Sequence, residues 1–153
     1  MAALPFLDQG RVNALELRLG HRFTDRVLLE RALTHTSYAN EHPPTPHHEG
    51  LALIGDAALS LVVAEHLYAR APDAPVGVLT PERAEIVSGA NLARWAAALE
   101  LGELLRLGRG EDQTGGRGRT SILATALEAV LGVVYLDAGL PAVRSIVARL
   151  AAW

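Results

Sequence analysis

Two long segments of this chain are apolar on nearly every side of a helix, and they constrain the fold more than any other feature. Residues 49–64 carry two acids, Glu49 and Asp56, and residues 122–135 carry one, Glu128. A helix that is apolar around most of its circumference is buried around most of it. We therefore expect both segments to form buried helices.

The rest of the chain repeats the helical spacing. Apolar residues recur at helical intervals with suitable caps, and no alternating strand pattern with turn signals is present. A length of 153 residues is typical of one domain. We predict an all-α fold of about seven helices, arranged as a single domain over residues 1–153.

Caps and breakers set the expected helix boundaries. The first apolar segment predicts a helix over residues 48–69, and a second helix is expected over residues 80–99 with Pro81 in its first turn. Gly139 and Pro141 should separate the last two helices.

Composition excludes several classes of protein. Half of the residues are apolar and a fifth are charged, which excludes a disordered chain. Because the chain has no cysteine, disulfides and Cys-ligated zinc are also excluded. Uninterrupted apolar runs are shorter than the roughly 18 residues that span a bilayer, and residues 1–5 lack the pattern of a secretory signal. We expect a cytoplasmic protein with no membrane partner.

The acids inside these helices need partners, because an isolated carboxylate among apolar neighbours is costly. Glu49 and Asp56 are seven residues apart and share a helix face, with Ala52 between them. Asp56 and Glu128 could each meet an arginine or a helix N-terminus, or face solvent in a cleft. Alternatively, they could form a carboxylate–metal site between two antiparallel helices. Spacing alone does not decide between these alternatives.

Histidines beside acids raise the possibility of a second metal site. Glu41, His42, His47 and His48 are residue types that bind zinc or manganese. Adjacent histidines after a proline turn rarely converge on one ion, so we favour a solvated loop. His35 is expected to be a hydrogen-bonded structural residue and not an acid–base catalyst.

Residues 48–59 resemble the signature motif of ribonuclease III endonuclease domains. Further matches follow the family's order along the chain, at residues 17–23, 32–42, 107–111, 115–117, 121–124 and 128–137. The resemblance implies an all-α domain that dimerises and forms a valley for double-stranded RNA. It also implies that acids from the two apolar helices hold Mg²⁺, which generates the attacking hydroxide.

Position by position, the resemblance retains part of the family's acidic site. Glu49, Asp56 and Glu128 match family acids and are the expected catalytic positions, with Asp56 and Glu128 as metal ligands. These two carboxylates give half of the ligand charge of the family's four. We therefore expect Mg²⁺ or Mn²⁺ to bind weakly, if at all.

Three other acids of the family are absent from this chain. Ala52 stands where the family has a second glutamate, Val76 where it has a glutamate after the long helix, and Thr125 where it has an aspartate. Each replacement removes one negative charge. With these departures, the resemblance implies a pseudoenzyme whose phosphodiester hydrolysis is lost or strongly weakened.

Basic residues around the glycine-rich segment 108–118 are candidates for RNA binding. This segment holds five glycines and predicts a flexible loop, from which Arg109, Arg117 and Arg119 could follow a phosphate backbone. The formal charge is -3, and at this length we expect no room for the family's double-stranded-RNA-binding module. We therefore expect a modest and salt-sensitive affinity.

Three functions remain open. The leading prediction is a degenerate domain that binds structured or double-stranded RNA as a homodimer, with a paralogue or an RNA–protein assembly as possible further partners. The second is an active Mg²⁺-dependent double-stranded-RNA endonuclease in RNA processing. The third is a protein-interaction dimer that does not bind RNA.

Overall fold

The computed structural model describes residues 7–153, and these contain eight α-helices and no β-strand. The helices are α1 (Gln9–Leu19), α2 (Arg26–Ala32), α3 (Thr36–Glu41), α4 (Glu49–Arg70), α5 (Val76–Ile86), α6 (Gly89–Ala98), α7 (Arg109–Gln113) and α8 (Thr120–Ala151). Short 3-10 turns lie at Leu101–Leu104 and Gly116–Gly118. The all-α prediction is confirmed. The expectation about a secretory signal falls on residues outside this described range.

The two apolar segments form α4 and α8, and these helices lie at the centre of the fold. They make the most extensive contact between any two elements, and α2 and α6 also pack against α8. Residues on several sides of α8 are buried, Leu127, Val130 and Leu131 completely. Gly139 interrupts α8 with a left-handed φ of 75°, as the expected break between the last two helices requires.

The contact between α4 and α8 is backbone against backbone. A Cβ at Gly55 would lie 1.6 Å from the carbonyl oxygen of Glu128, and one at Gly132 would lie 2.1 Å from that of Leu51. Glycine alone permits so close an approach. The crossing therefore places Asp56, which follows Gly55, beside Glu128.

By length and composition alone, α4 and α8 are each able to cross a membrane. The expectation of no membrane partner is based on the length of uninterrupted apolar runs. That length does not reveal the mean hydropathy of a whole helix. The core helices of soluble proteins have the same property, and much of both helices is buried here, 44% of the apolar window of α4 and 61% of that of α8. The absence of a membrane partner stays a prediction.

The helix predicted over residues 80–99 is wrong, because two helices occupy this region. α5 begins at Val76, which places Pro81 inside the helix and not in its first turn. Ser88 then leaves helical geometry, and its hydroxyl accepts a hydrogen bond from the Asn91 backbone N–H at 3.2 Å. The Asn91 side chain donates in turn to the carbonyl of Ile86 at 2.7 Å. These two bonds satisfy backbone groups that the break exposes.

The glycine-rich segment is folded, so its prediction as a loop is wrong. It contains α7 and a 3-10 turn. A Cβ at Gly108 would lie 2.8 Å from the carbonyl oxygen of Ser37, and one at Gly116 would lie 2.7 Å from the side chain of Glu111. These two glycines therefore permit close packing.

Candidate functional site

Asp56 and Glu128 meet across the crossing of α4 and α8. Burial of Glu128 raises the pKa of its carboxyl to about 7, and the Asp56 charge and a hydrogen bond with the Asp56 carboxyl act in the same direction. A hydrogen bond between two carboxyl groups needs a proton on one of them. The structure therefore brings these two predicted residues together as a pair that retains a proton near neutral pH.

Ala52 and Thr125 add no charge to this pair. Ala52 is buried, and the Thr125 hydroxyl donates to the carbonyl of Ser121 at 2.9 Å, one turn back on its own helix. Within residues 7–153, no three His, Asp or Glu side chains converge as ligands for one ion. In the described part of the chain, the acid pair thus has no third ligand of these types.

Two facing carboxylates nevertheless suit a hard divalent cation. Mg²⁺ prefers oxygen ligands and is commonly bound through one or two carboxylates while it keeps several waters. A cation at the pair would compete with the proton that Glu128 retains, because metal binding requires the ionised carboxylate. The carboxylates of Asp56 and Glu128 are therefore of the ligand type that Mg²⁺ or Mn²⁺ takes.

Two further predicted positions lie apart from the pair. Glu49 is exposed at the start of α4, where its charge acts on His35. Val76 is exposed at the start of α5 and shares a small cavity with Ala64. Ala64 follows Asp56 by eight residues, which is about 12 Å along a helix. Within one protomer, Val76 therefore does not join the acid pair.

His48 is buried, so the prediction of a solvated loop is wrong for this residue. It is 2% exposed, and its Nδ1 has no hydrogen-bond partner among the described residues. Burial, reinforced by the charges of His35 and His47, lowers the pKa of His48 to about 4. His48 is therefore neutral at physiological pH.

His35 has the structural role that the sequence predicts. Its Nδ1 accepts a hydrogen bond from the Ser37 backbone N–H at 3.1 Å and lies 2.7 Å from the Ser37 hydroxyl, so the imidazole caps α3. Burial lowers the pKa of His35. Its ring also contacts His48 edge to face, with centroids 5.5 Å apart.

Arg117, predicted to bind RNA, is held by contacts within the protein, although its side chain is 33% exposed. Its Nη1 donates to the carbonyls of Gly102 at 3.0 Å and Leu105 at 2.6 Å. Its Nε donates to the Asp112 carboxylate at 2.9 Å. The guanidinium thus joins the segment before α7 to the turn after it, which leaves it few donors for a phosphate.

The other two arginines predicted to bind RNA differ in whether their side chains are engaged within the protein. Arg119 forms an ion pair with Glu111 and donates to the carbonyl of Thr114. Arg109 is exposed, and its side chain makes no hydrogen bond or ion pair among residues 7–153, whereas its backbone N–H donates to Glu41. Of the three, Arg109 is the one whose side chain is available to a ligand.

A stack of flat side chains near α3 is not among the features predicted from the sequence. The rings of Tyr38 and His42 lie 4.2 Å apart between centroids, with their planes 15° apart. The guanidinium of Arg106 lies over the Tyr38 ring, 4.4 Å from its centroid. The i, i+4 spacing of Tyr38 and His42 was a usable signal for the ring pair, whereas the contact with Arg106 is long-range.

The fold and the site together define an all-α domain with a carboxylate pair at the crossing of its two central helices. The Ribonuclease-III-like family model matches residues 25–152. The chain therefore belongs to the ribonuclease III-like family.

Curated relatives of this chain carry the name Ribonuclease 3. One from Symbiobacterium thermophilum is 48% identical over 147 residues, which cover 96% of this chain and 62% of the relative. Another from Streptomyces coelicolor is 52% identical over 136 residues, which cover 89% of this chain and 49% of the relative. The chain thus spans about half to three fifths of the length of these two proteins.

Solved structures show the same fold. The nuclease domain of ribonuclease III from Campylobacter jejuni superimposes with a TM-score of 0.85 at 36% identity, and covers 91% of this chain and 94% of that domain. It is described as structurally flexible in a region involved in dimer formation. Dicer from Pichia stipitis is more distant, with a TM-score of 0.59 at 25% identity over 78% of this chain and half of Dicer.

Proposed function

We propose that this chain is a ribonuclease III-like domain that binds structured or double-stranded RNA as a homodimer, with phosphodiester hydrolysis lost or strongly weakened. The observation that carries the proposal is the reduced acidic site. Asp56 and Glu128 meet at the helix crossing, whereas Ala52, Thr125 and Val76 provide no carboxylate. The relatives named Ribonuclease 3 support the RNA-processing class.

The reduced acidity favours binding over cleavage. When bound at such a site, Mg²⁺ activates a water and stabilises charge on the phosphate. Asp56 and Glu128 alone hold a cation weakly, since affinity depends on the number and charge of the ligands. A phosphate backbone that approaches Asp56 and Glu128 also meets fewer negative charges than it would beside four carboxylates.

An exposed apolar stripe on α4 supports the homodimer. Leu53, Leu61 and Tyr68 are 73%, 47% and 64% exposed, and their spacing of eight and seven residues places them on one face of the helix. Val76 and Val78 are also exposed at the start of α5, which packs against α4. An apolar patch of this kind marks an interaction surface, and the dimer-forming region of the C. jejuni domain favours a second copy as the occupant.

Active endonuclease function is the second candidate. It is favoured by the 52% identity to a protein named Ribonuclease 3 and by the facing carboxyls of Asp56 and Glu128. In that case the incomplete site would cleave double-stranded RNA with Mg²⁺ in RNA processing. The third candidate, a protein-interaction dimer without RNA, depends on the apolar stripe alone.

Restoring the missing acids tests the proposed cause of the weak site. Ala52→Glu combined with Thr125→Asp should raise Mn²⁺ affinity in calorimetric titration by about tenfold or more, because two carboxylates are added beside the pair. The matched control is Ala52→Gln with Thr125→Asn, which has the same size without the charge and should not raise the affinity. If the folded acidic variant binds Mn²⁺ no better than the control, the missing acids are not the cause.

Salt dependence separates RNA binding from a protein-interaction role. Filter binding of a labelled RNA duplex should show measurable affinity at about 50 mM salt and a clear loss at about 200 mM, because phosphate contacts release counterions. If no duplex is retained at the lower salt concentration, the RNA-binding proposal is wrong and the protein-interaction dimer is favoured.

A further inference from the structure

His42, Tyr38 and Arg106 form a column of flat groups that reaches the protein surface. Each outer member lies less than 4.5 Å from the Tyr38 ring centroid, the His42 ring at 4.2 Å and the Arg106 guanidinium carbon at 4.4 Å. Since one face of a phenol ring accommodates one such group, His42 and Arg106 cover opposite faces. Tyr38 is half-buried and His42 is exposed. The column therefore ends in the imidazole of an exposed residue, and Tyr38 is the only ring that this imidazole contacts among the described residues.

Contacts on both sides hold the column in one orientation. The Arg106 Nη2 donates to the hydroxyl of Thr34 at 2.9 Å, and Thr34 is fully buried. The His42 Nδ1 donates to the carbonyl of Tyr38 at 3.1 Å, one turn earlier in the chain. A ring that is already fixed loses little conformational freedom when a ligand binds to it.

Arg109 brings a cation to the segment that carries His42. Both oxygens of the Glu41 carboxylate accept a hydrogen bond from the Arg109 backbone N–H at 3.0 Å, so Arg109 lies against the residue that precedes His42. The Arg109 side chain is exposed. The carboxylate of Glu41, which precedes His42, would repel a phosphate here. Its hydrogen bond with the Arg109 N–H partly offsets this negative charge. The surface thus combines an aromatic face with an arginine, which suits a nucleotide.

We propose that the outer face of His42 stacks on an unpaired nucleobase of the bound RNA, with Arg109 on the adjoining phosphate. This inference rests on the proposed RNA binding. A base inside a duplex already has both faces stacked, and a terminal base pair presents its outer face only at the end of the helix. An unpaired nucleotide can swing its base away from the helix and so offers a face to His42. Histidine is one of the side chains on which proteins stack such bases.

Duplexes with one unpaired 2-aminopurine nucleotide at the 5′ or the 3′ end, compared with the blunt duplex, test this proposal. The wild-type protein should bind at least one of the two about 5-fold to 100-fold more tightly than the blunt duplex. Stacking should also quench the 2-aminopurine fluorescence. His42→Ala should remove both effects and keep the affinity for the blunt duplex, whereas His42→Phe should retain both.

Other outcomes overturn the proposal. Equal wild-type affinity for all three duplexes would exclude the subsite, and so would an advantage or a quenching that persists in His42→Ala. Loss of blunt-duplex binding in His42→Ala would instead give His42 a structural role. Failure of the wild-type protein to bind the blunt duplex contradicts the proposed function separately, and His42-dependent quenching by the unpaired nucleotide would then still support the stacking site.

Discussion

The charge of Glu128 depends on its burial and on Asp56, which faces it across the helix crossing. Burial and Asp56 raise its pKa from the ordinary 4.5 to about 7, so between these values the folded protein keeps a proton that the unfolded chain releases. The resulting contribution to stability is fully present below pH 4.5 and is lost as the pH rises through 7.

Glu128→Gln should therefore change how stability depends on pH. Because glutamine does not ionise, the variant should have a free energy of unfolding about 1–3 kcal/mol above that of the wild type at pH 8. The difference should shrink towards pH 4.5. Urea unfolding at both pH values measures it, and Asp56→Asn should produce part of the same gain. A difference that does not change with pH would contradict the pairing of the two acids.

Sequence reasoning found Asp56 and Glu128 because a lone acid in an apolar helix is conspicuous. It could not distinguish His47 from His48, two identical neighbours of which only His48 is buried, because burial is decided by the elements that pack around the turn. It also could not foresee that Arg117 contacts the carbonyls of Gly102 and Leu105. The residue type alone does not show whether an arginine side chain lies in a solvated loop or holds a turn together.

At the scale of elements, α4 and α8 were predictable because their apolar spacing is long and regular. The division between α5 and α6 was not found, although Ser88 followed by Asn91 is a capping signal in the sequence. The apolar residues on both sides of Ser88 favoured one continuous helix. Local hydrogen bonds of Ser88 and Asn91 outweigh that preference in the structure.

The glycine contact between α4 and α8 predicts a contrast between two substitutions in one helix. Gly55→Ala places a Cβ 1.6 Å from the Glu128 carbonyl oxygen, so the helices must separate, at a cost of about 3 kcal/mol or more in unfolding free energy. Gly50→Ala meets nothing within 4 Å and should stabilise the helix by up to about 1 kcal/mol. Thermal unfolding compares the two. Equal effects would contradict a close crossing at Gly55.

At the scale of the whole molecule, composition indicated an apolar excess but not its location. The structure locates part of it on the exposed face of α4. The opposite side of the helix packs on α8, and helical periodicity could not say which face a second chain would cover. The net charge of -3 likewise gives no position for an RNA-binding surface.

A double substitution in the stripe tests the homodimer. Leu53→Glu with Leu61→Glu should leave the fold intact, because both side chains are exposed, and should yield particles of one chain, 16.3 kDa. The wild type should sediment with the mass of two chains. Val27→Glu alters an equally exposed apolar residue on α2 and should remain dimeric. If the double variant still sediments as a dimer, a different surface forms the interface.

The central claim is that the Asp56–Glu128 pair, without the family's acids at positions 52, 76 and 125, is compatible with RNA binding but does not support cleavage. The most direct measurement incubates the protein with a labelled RNA duplex and Mg²⁺ or Mn²⁺, and records bound and cleaved RNA in the same samples. We predict bound, intact RNA for the wild type and for Asp56→Asn alike. Cleavage by the wild type that Asp56→Asn or Glu128→Gln abolishes would contradict the claim and identify an active endonuclease.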